Sequence, residues 1–316
     1  MPGLDRRALL AAGVGLAGAA VSGPAAAAAP FFRSRGLPIG IQLYTLGPDA
    51  AKDLDATLAA VAKIGFRTVE LAGLLGRTAA EFKAALDKAG LKAPSAHIQA
   101  RGGQDSFQGD LGKLAEDLKL LGVTSAVMPM FYIPERFGAP SAADGGLAGY
   151  LTRVATGLTA DDWKMNADYL NKKAAALKPA GIKVGYHNHN LEFAPVGGST
   201  GLEILLAETD PALVTFEMDV GWVAAAGVDP YALLAKHKGR FSLMHVKDIK
   251  ADTQANFALK MNPADIGSGS LDWKRLLPAA YESGIRGFFL EQEPPFTQPR
   301  IEAAKVGHDF LAQVAA

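Results

Sequence analysis

Six times along this chain a helical stretch ends at a glycine and passes straight into a β-branched or apolar strand. The joints read KIGFRTVE, KAGLKAPSAH, LLGVTSAVMPM, PAGIKVGYHNH, HKGRFSLMHVKD and SGIRGFFLEQE. A glycine there supplies the left-handed residue that closes a helix, so Gly65, Gly90, Gly122, Gly181, Gly239 and Gly284 punctuate helix-to-strand transitions. The repeating unit is therefore αβ. Strands near these joints end on Glu70, His97, His187, Asp219, His245 and Glu291, which gathers titratable groups at one end of the sheet. In α/β architectures that end carries the chemistry.

Strand signals fall at Ile39 to Tyr44, Thr68 to Leu71, Pro94 to Ile98, Ser125 to Met130, Lys183 to His187, Val214 to Asp219, Ser242 to Val246 and Gly287 to Leu290. Between them lie stretches of helical periodicity, among them DLDATLAAVAKI, TAAEFKAALDKA and ADDWKMNADYLNKKAAALK, the last opened by a capping-box pattern at Thr159 and Asp162. Unbroken alternation implies parallel strands joined by right-handed crossovers, and eight such units predict a single-domain (β/α)8 TIM barrel. The rival, a doubly wound sheet, would carry a glycine-rich turn after the first strand. IQLYTLGPDA has none. Two connections are too long to be plain joints: 131–158 after the fourth strand and 249–270 after the seventh. Both follow strand ends, so both are expected to contact substrate.

The first 29 residues read as a cleavable export signal preceding a catalytic domain over 30–316. Arg6 and Arg7 precede an apolar run from Ala8 to Val21 and an alanine tract with A-x-A cleavage options, a pattern of the twin-arginine type. That run is shorter than the roughly 20 residues a spanning helix needs, so no stable membrane association is expected after cleavage, and the mature protein is placed in the periplasm or outside the cell. The chain has no cysteine, which excludes thiolate nucleophiles and Cys-ligated zinc. Its 32 basic and 32 acidic residues balance, so no basic field draws in nucleic acid.

Strands five to eight end in YHNHNLEF, FEMDVGW, LMHVKD and FLEQE, each with a potential metal ligand. Neighbouring strands lie ~5 Å apart, so these side chains converge above the barrel mouth. Mixed His and carboxylate ligands suit one divalent cation, Mn²⁺ first, with Mg²⁺, Co²⁺ and Zn²⁺ as alternatives. Period-2 alternation puts His187 and His189 on one face, so both reach the site if the strand continues. Lys247 shares a face with His245 and is placed either to polarise a substrate oxygen or to pair with a carboxylate. Tyr44 and Trp222 offer flat surfaces for a pyranose, Trp222 alternatively packing beneath a loop.

These strand ends, with GIKVGYHNH before the fifth and IGSGSLDWKRLL after the seventh, resemble the sugar phosphate isomerase/epimerase family of xylose-isomerase-like barrels. The resemblance runs from IGIQLYTL through GFRTVELAG and PSAHI to FLEQE. It implies a divalent cation held by His187, Asp219, His245 and Glu291, with Glu70 and His97 binding sugar hydroxyls. It departs from the family at His187, where better-known members carry a glutamate that is both ligand and proton carrier. His189 is the competing ligand, and Glu192 the candidate for the missing carboxylate. On the eighth strand Glu291 is expected to be ligand and base, with Glu293 orienting substrate.

The expected function is a metal-dependent isomerase or epimerase of a non-phosphorylated sugar or keto-sugar, acting through an enediolate. The alternative is a lyase or hydratase that eliminates a β substituent from a 3-keto sugar or glycoside and needs one strong base. A non-catalytic sugar-binding protein ranks below both. The expected partner is a small carbohydrate, and a homo-oligomer is compatible with the sequence.

Overall fold

A computed structural model describes residues 29–316; the proposed export segment lies outside the described residues except at its last position. Eight parallel strands close into a barrel: β1 (Gly40–Gln42), β2 (Thr68–Leu71), β3 (Lys92–His97), β4 (Ser125–Met128), β5 (Lys183–His187), β6 (Val214–Asp219), β7 (Phe241–Val246) and β8 (Gly287–Leu290). The ring is completed where Gly40 of β1 pairs with Thr68 of β2 on one side and Phe289 of β8 on the other.

All six joint glycines have positive φ. Gly90, Gly122 and Gly181 sit in the left-handed region at φ 70°, 80° and 76°. Gly65, at φ 131°, has a second constraint, because a Cβ there would collide with the His308 ring. The capping box at Thr159 forms as the sequence predicts, with Thr159 N donating to Asp162 Oδ2 at 2.7 Å.

Alternation sorts the strand residues into two layers. Val184, Tyr186, Phe216, Met218, Met244, Val246, Phe288 and Leu290 are buried in the main core between strands and helices, each worth about 1.5–3 kcal/mol of apolar burial. A separate buried cluster of Val127, Leu243 and Phe289 fills the barrel axis. Continuing the Phe289 parity puts Glu291 on the axis too.

Two strands are shorter than expected. β1 stops at Gln42, whose side chain accepts from Tyr44 N at 3.1 Å and starts a 3-10 turn over Leu43–Leu46. β4 stops at Met128. The connection after β4 contains a helix, Leu147–Gly157, and is pinned by Asn166, which accepts from Tyr132 N at 2.6 Å. The connection after β7 is held by one carboxylate. Buried Asp248 accepts from the backbone N–H groups of Gly267, Gly269 and Leu271 and from Trp273 Nε1 at 2.8 Å. A Cβ on Gly269 would collide with that carboxylate, which explains the glycine in IGSGSLDW. The loop is also tied to the β5 end, since Asn190 donates to Asn256 Oδ1 and accepts from Leu259 N.

Candidate active site

Register brings the strand ends together. His187 pairs with Glu217 across β5 and β6, and Asp219 pairs with His245 across β6 and β7. One layer deeper, Gln42, Glu70 and Ser95 run in a row across β1 to β3. The Gln42 amide donates to Glu70 Oε2 at 2.7 Å and the Ser95 hydroxyl to Oε1 at 2.5 Å.

His245 links the two layers. Its Nε2 lies 2.6 Å from Glu70 Oε2, and its Nδ1 lies 2.8 Å from Glu291 Oε2 and 3.7 Å from Asp219 Oδ2. His187 is arranged in the same way, with Nδ1 3.0 Å from Glu217 Oε2 and Nε2 3.9 Å from Asp219 Oδ2. Glu70 and Glu217 therefore stand behind the two imidazoles and hold their orientation.

Asp219, His245 and Glu291 form a group able to hold a metal ion, and His97, His187, Glu217 and His245 form another. Donors bound at ~2.1 Å stand roughly 3.0–3.4 Å apart around a divalent cation, so the spacing of the first group fits one. Asp219 Oδ2 is buried without a hydrogen bond, as a ligand oxygen facing such a cation would be. The Lys247 ammonium competes for that place. It stands 2.7 Å from Asp219 Oδ2, an ion pair without hydrogen-bond alignment, 2.8 Å from Glu291 Oε2 and 3.2 Å from Glu293 Oε1.

The electrostatics follow from burial and these partners. Burial disfavours charge on Lys247, but Asp219, Glu291 and Glu293 outweigh it and hold its pKa well above the usual lysine value. Burial likewise opposes ionisation of Glu291, yet Lys247 and His245 keep its carboxyl well below the usual range. For Glu293 burial prevails, and its pKa rises. Burial, reinforced by the neighbouring His245, pushes His187 well below the normal histidine value, which leaves it neutral, the state a ligand needs. His97 goes the other way: Glu70 and Glu217 overcome burial and raise its pKa. Beneath them, His97 and His245 outweigh burial to lower Glu70 to about 2, whereas burial and Glu70 raise Glu217 to about 7.

A cavity of about 900 Å³ opens above this cluster, lined among others by Tyr44, His97, His187, His189, Trp222, Glu291 and Glu293. His189 lies past the end of β5, with its ring 4.8 Å from that of His187 and its Nδ1 unpartnered. It belongs to neither ligand group. Burial, then Lys247, lowers its pKa to about 3, so it faces the cavity as a neutral imidazole. Trp222 lines the cavity as well as packing, its ring 5.2 Å from Lys247 Nζ.

Two expectations need correction, and one alternative is decided. Glu70 does not meet substrate; it is fully buried, and both its oxygens are taken by Gln42, Ser95 and His245. Glu192 does not supply the missing carboxylate. The turn after β5 folds it away from the cavity, where it accepts from Tyr186 Oη at 2.7 Å and His189 N at 2.8 Å, and burial raises its pKa to about 7. Of the two roles expected for Lys247, the carboxylate pairing is the one that forms: three carboxylates hold its ammonium, and the residue is not part of the cavity lining. Glu217 was missed, although its place two residues before Asp219 puts it on the same strand face and was readable from alternation.

A family model for the xylose isomerase-like TIM barrel matches residues 58–314, and the chain belongs to that family. An inosose dehydratase from Clostridium beijerinckii is 30% identical over 154 residues, covering 44% of this chain and 50% of that protein. One from Clostridium tetani is 31% identical over 173 residues, covering 50% and 56%. The chain thus spans about half the length of these curated relatives. The crystal structure of a sugar phosphate isomerase/epimerase from Parabacteroides distasonis superposes with a TM-score of 0.65 at 25% identity, covering 87% of this chain and 94% of that one.

Proposed function

We propose that the protein is a metal-dependent lyase that eliminates a β substituent from a keto-sugar, with Asp219, His245, Glu291 and His187 holding the cation. The observation that carries this is the one-sided placement of carboxylates. Both acidic groups lining the cavity, Glu291 and Glu293, come from the end of β8, while the β3 and β5 ends present His97, His187 and His189. Epimerisation needs a proton acceptor on one face of the carbon and a donor on the other; elimination needs one strong base and an acid for the leaving group. The similarity to inosose dehydratases supports the same reading.

Roles follow from the site's charges. A bound divalent cation would draw electron density from a substrate carbonyl and acidify the adjacent C–H. Glu293, with its raised pKa, takes that proton. The C–H electron pair forms the new double bond, the C–O bond at the β carbon breaks, and the departing oxygen takes a proton from His97, whose pKa Glu70 and Glu217 raise against burial. Glu291 stays ionised as a ligand. His189 is a neutral partner for a ring hydroxyl through its free Nδ1.

The isomerase or epimerase reading keeps one supporting observation, the alignment of the solved isomerase/epimerase with 87% of the chain. The test is incubation of the Mn²⁺-reconstituted protein in D₂O with free and 3-keto sugars, followed by NMR. Elimination yields an unsaturated or anhydro product; deuterium exchange with inverted configuration and no loss of substituent would overturn the lyase reading. His245→Ala is expected to abolish Mn²⁺ binding and turnover with the fold retained, and activity in that variant would refute the site. We also place the protein outside the cytoplasm on the strength of Arg6, Arg7 and the apolar run behind them. Recovery of full-length, uncleaved protein in the cytosolic fraction would refute that.

A further inference from the structure

The cavity is larger and more one-sided than a single sugar ring requires. Its ~900 Å³ stands near the top of the roughly 300–1,000 Å³ range of pockets that enclose drug-sized ligands. A hexose has only 12 heavy atoms. The His and Glu groups come from the ends of β3, β5 and β8, and another part of the wall, supplied by the β4 end and the helix Leu147–Gly157, presents Met130, Phe131, Ile133, Leu147, Tyr150 and Leu151.

Two of the polar side chains beside that wall are tied to the backbone. Tyr150 Oη donates to Gly138 O at 2.7 Å, so its ring is what remains for a ligand. Arg101 donates to Ile133 O at 2.7 Å, and its guanidinium stacks 4.9 Å from the Tyr132 ring centroid. A second sugar packed on the Met130, Phe131, Ile133 and Leu151 side chains would bury hydroxyls against groups that offer them no partner, at about 1–3 kcal/mol for each. An apolar group meets no such cost. Leu147, 66% exposed, and Tyr44, 52% exposed, stand at the rim and line the cavity with apolar surface.

We propose that this wall is an aglycone subsite, so that the substrate is a 3-keto glycoside carrying an apolar, planar substituent at C1, with the ketose ring toward the His and Glu side. The inference rests on the elimination reading above and specifies its leaving group. The C2 proton passes to Glu293, the C2–H pair forms the C1–C2 double bond, and the C1–O bond breaks with its pair on the aglycone oxygen. That oxygen takes a proton from His97 and leaves as the free alcohol or phenol.

The experiment titrates the Mn²⁺-loaded protein by calorimetry with phenyl 3-keto-β-glucoside, methyl 3-keto-β-glucoside and 3-keto-cellobiose, with NMR of the same mixtures. The phenyl compound is expected to bind at least 10-fold tighter than the methyl one, and the disaccharide no tighter than the methyl one. Ile133→Asn and, at the exposed rim, Leu147→Asn are each expected to narrow the phenyl-to-methyl ratio at unchanged Tm. Equal affinities, or a disaccharide that binds tightest, overturn the subsite even if phenol and methanol are both released. Tight phenyl binding with no phenol released supports the subsite and overturns the elimination reading instead.

Discussion

His187 Nδ1 and Glu217 Oε2 stand 3.0 Å apart across neighbouring barrel strands, and this contact directs the other ring nitrogen, Nε2, toward Asp219. A carboxylate behind a ligating imidazole fixes its tautomer and raises its basicity. Glu70 does the same for His245 from below, at 2.6 Å.

Glu217→Gln is therefore expected to weaken Mn²⁺ binding by about 10–100-fold, because the amide no longer fixes the His187 tautomer. Calorimetric titration of the folded variant measures it. An unchanged Kd would show that Glu217 acts on structure alone.

Lys247→Met removes the cation that faces Asp219, Glu291 and Glu293. The metal-free variant should lose about 3–5 kcal/mol, since a buried charge is costly once its partner is gone. Mn²⁺ would then replace the missing charge, so the metal-induced rise in Tm should be larger in the variant than in the parent. Equal rises would mean that Lys247 and the metal occupy separate places.

Asp248→Ala strips the connection after β7 of its anchor, leaving the N–H groups of Gly267, Gly269 and Leu271 and the Trp273 indole without their acceptor. A loss of at least ~2 kcal/mol is expected from orphaned donors. Limited proteolysis should cut within 249–270 faster than in the parent. Unaltered cleavage there would place the anchor elsewhere.

Glu192 gives a pH signature. Burial raises its pKa to about 7 from the ordinary 4.5, so between these limits the folded state holds a proton that the unfolded state has released. Its contribution to stability is complete below pH 4.5 and is lost as pH rises through 7, amounting to roughly 3 kcal/mol. Glu192→Gln carries no such proton, so its Tm should fall less between pH 5 and pH 8 than that of the parent. Parallel Tm profiles for the two proteins would contradict the assignment.

The sequence by itself determined the repeating unit, the number and order of strands, and which strand ends carry ionisable groups. These follow from short-range rules: glycine closes helices, β-branched runs extend, and side chains alternate with period two. The same rules located the long connections after β4 and β7 and put Glu291 at the end of the eighth strand. Tertiary structure alone decided how the groups are shared out. Register between β5, β6 and β7 set Glu217 against His187 and Asp219 against His245, a pairing fixed by hydrogen bonds between strands distant in sequence. The turn after β5 carried Glu192 out of the site, and three converging carboxylates drew Lys247 beneath the cavity floor. A side chain's face is a local property of its strand, whereas its partner depends on where the other strands close around it.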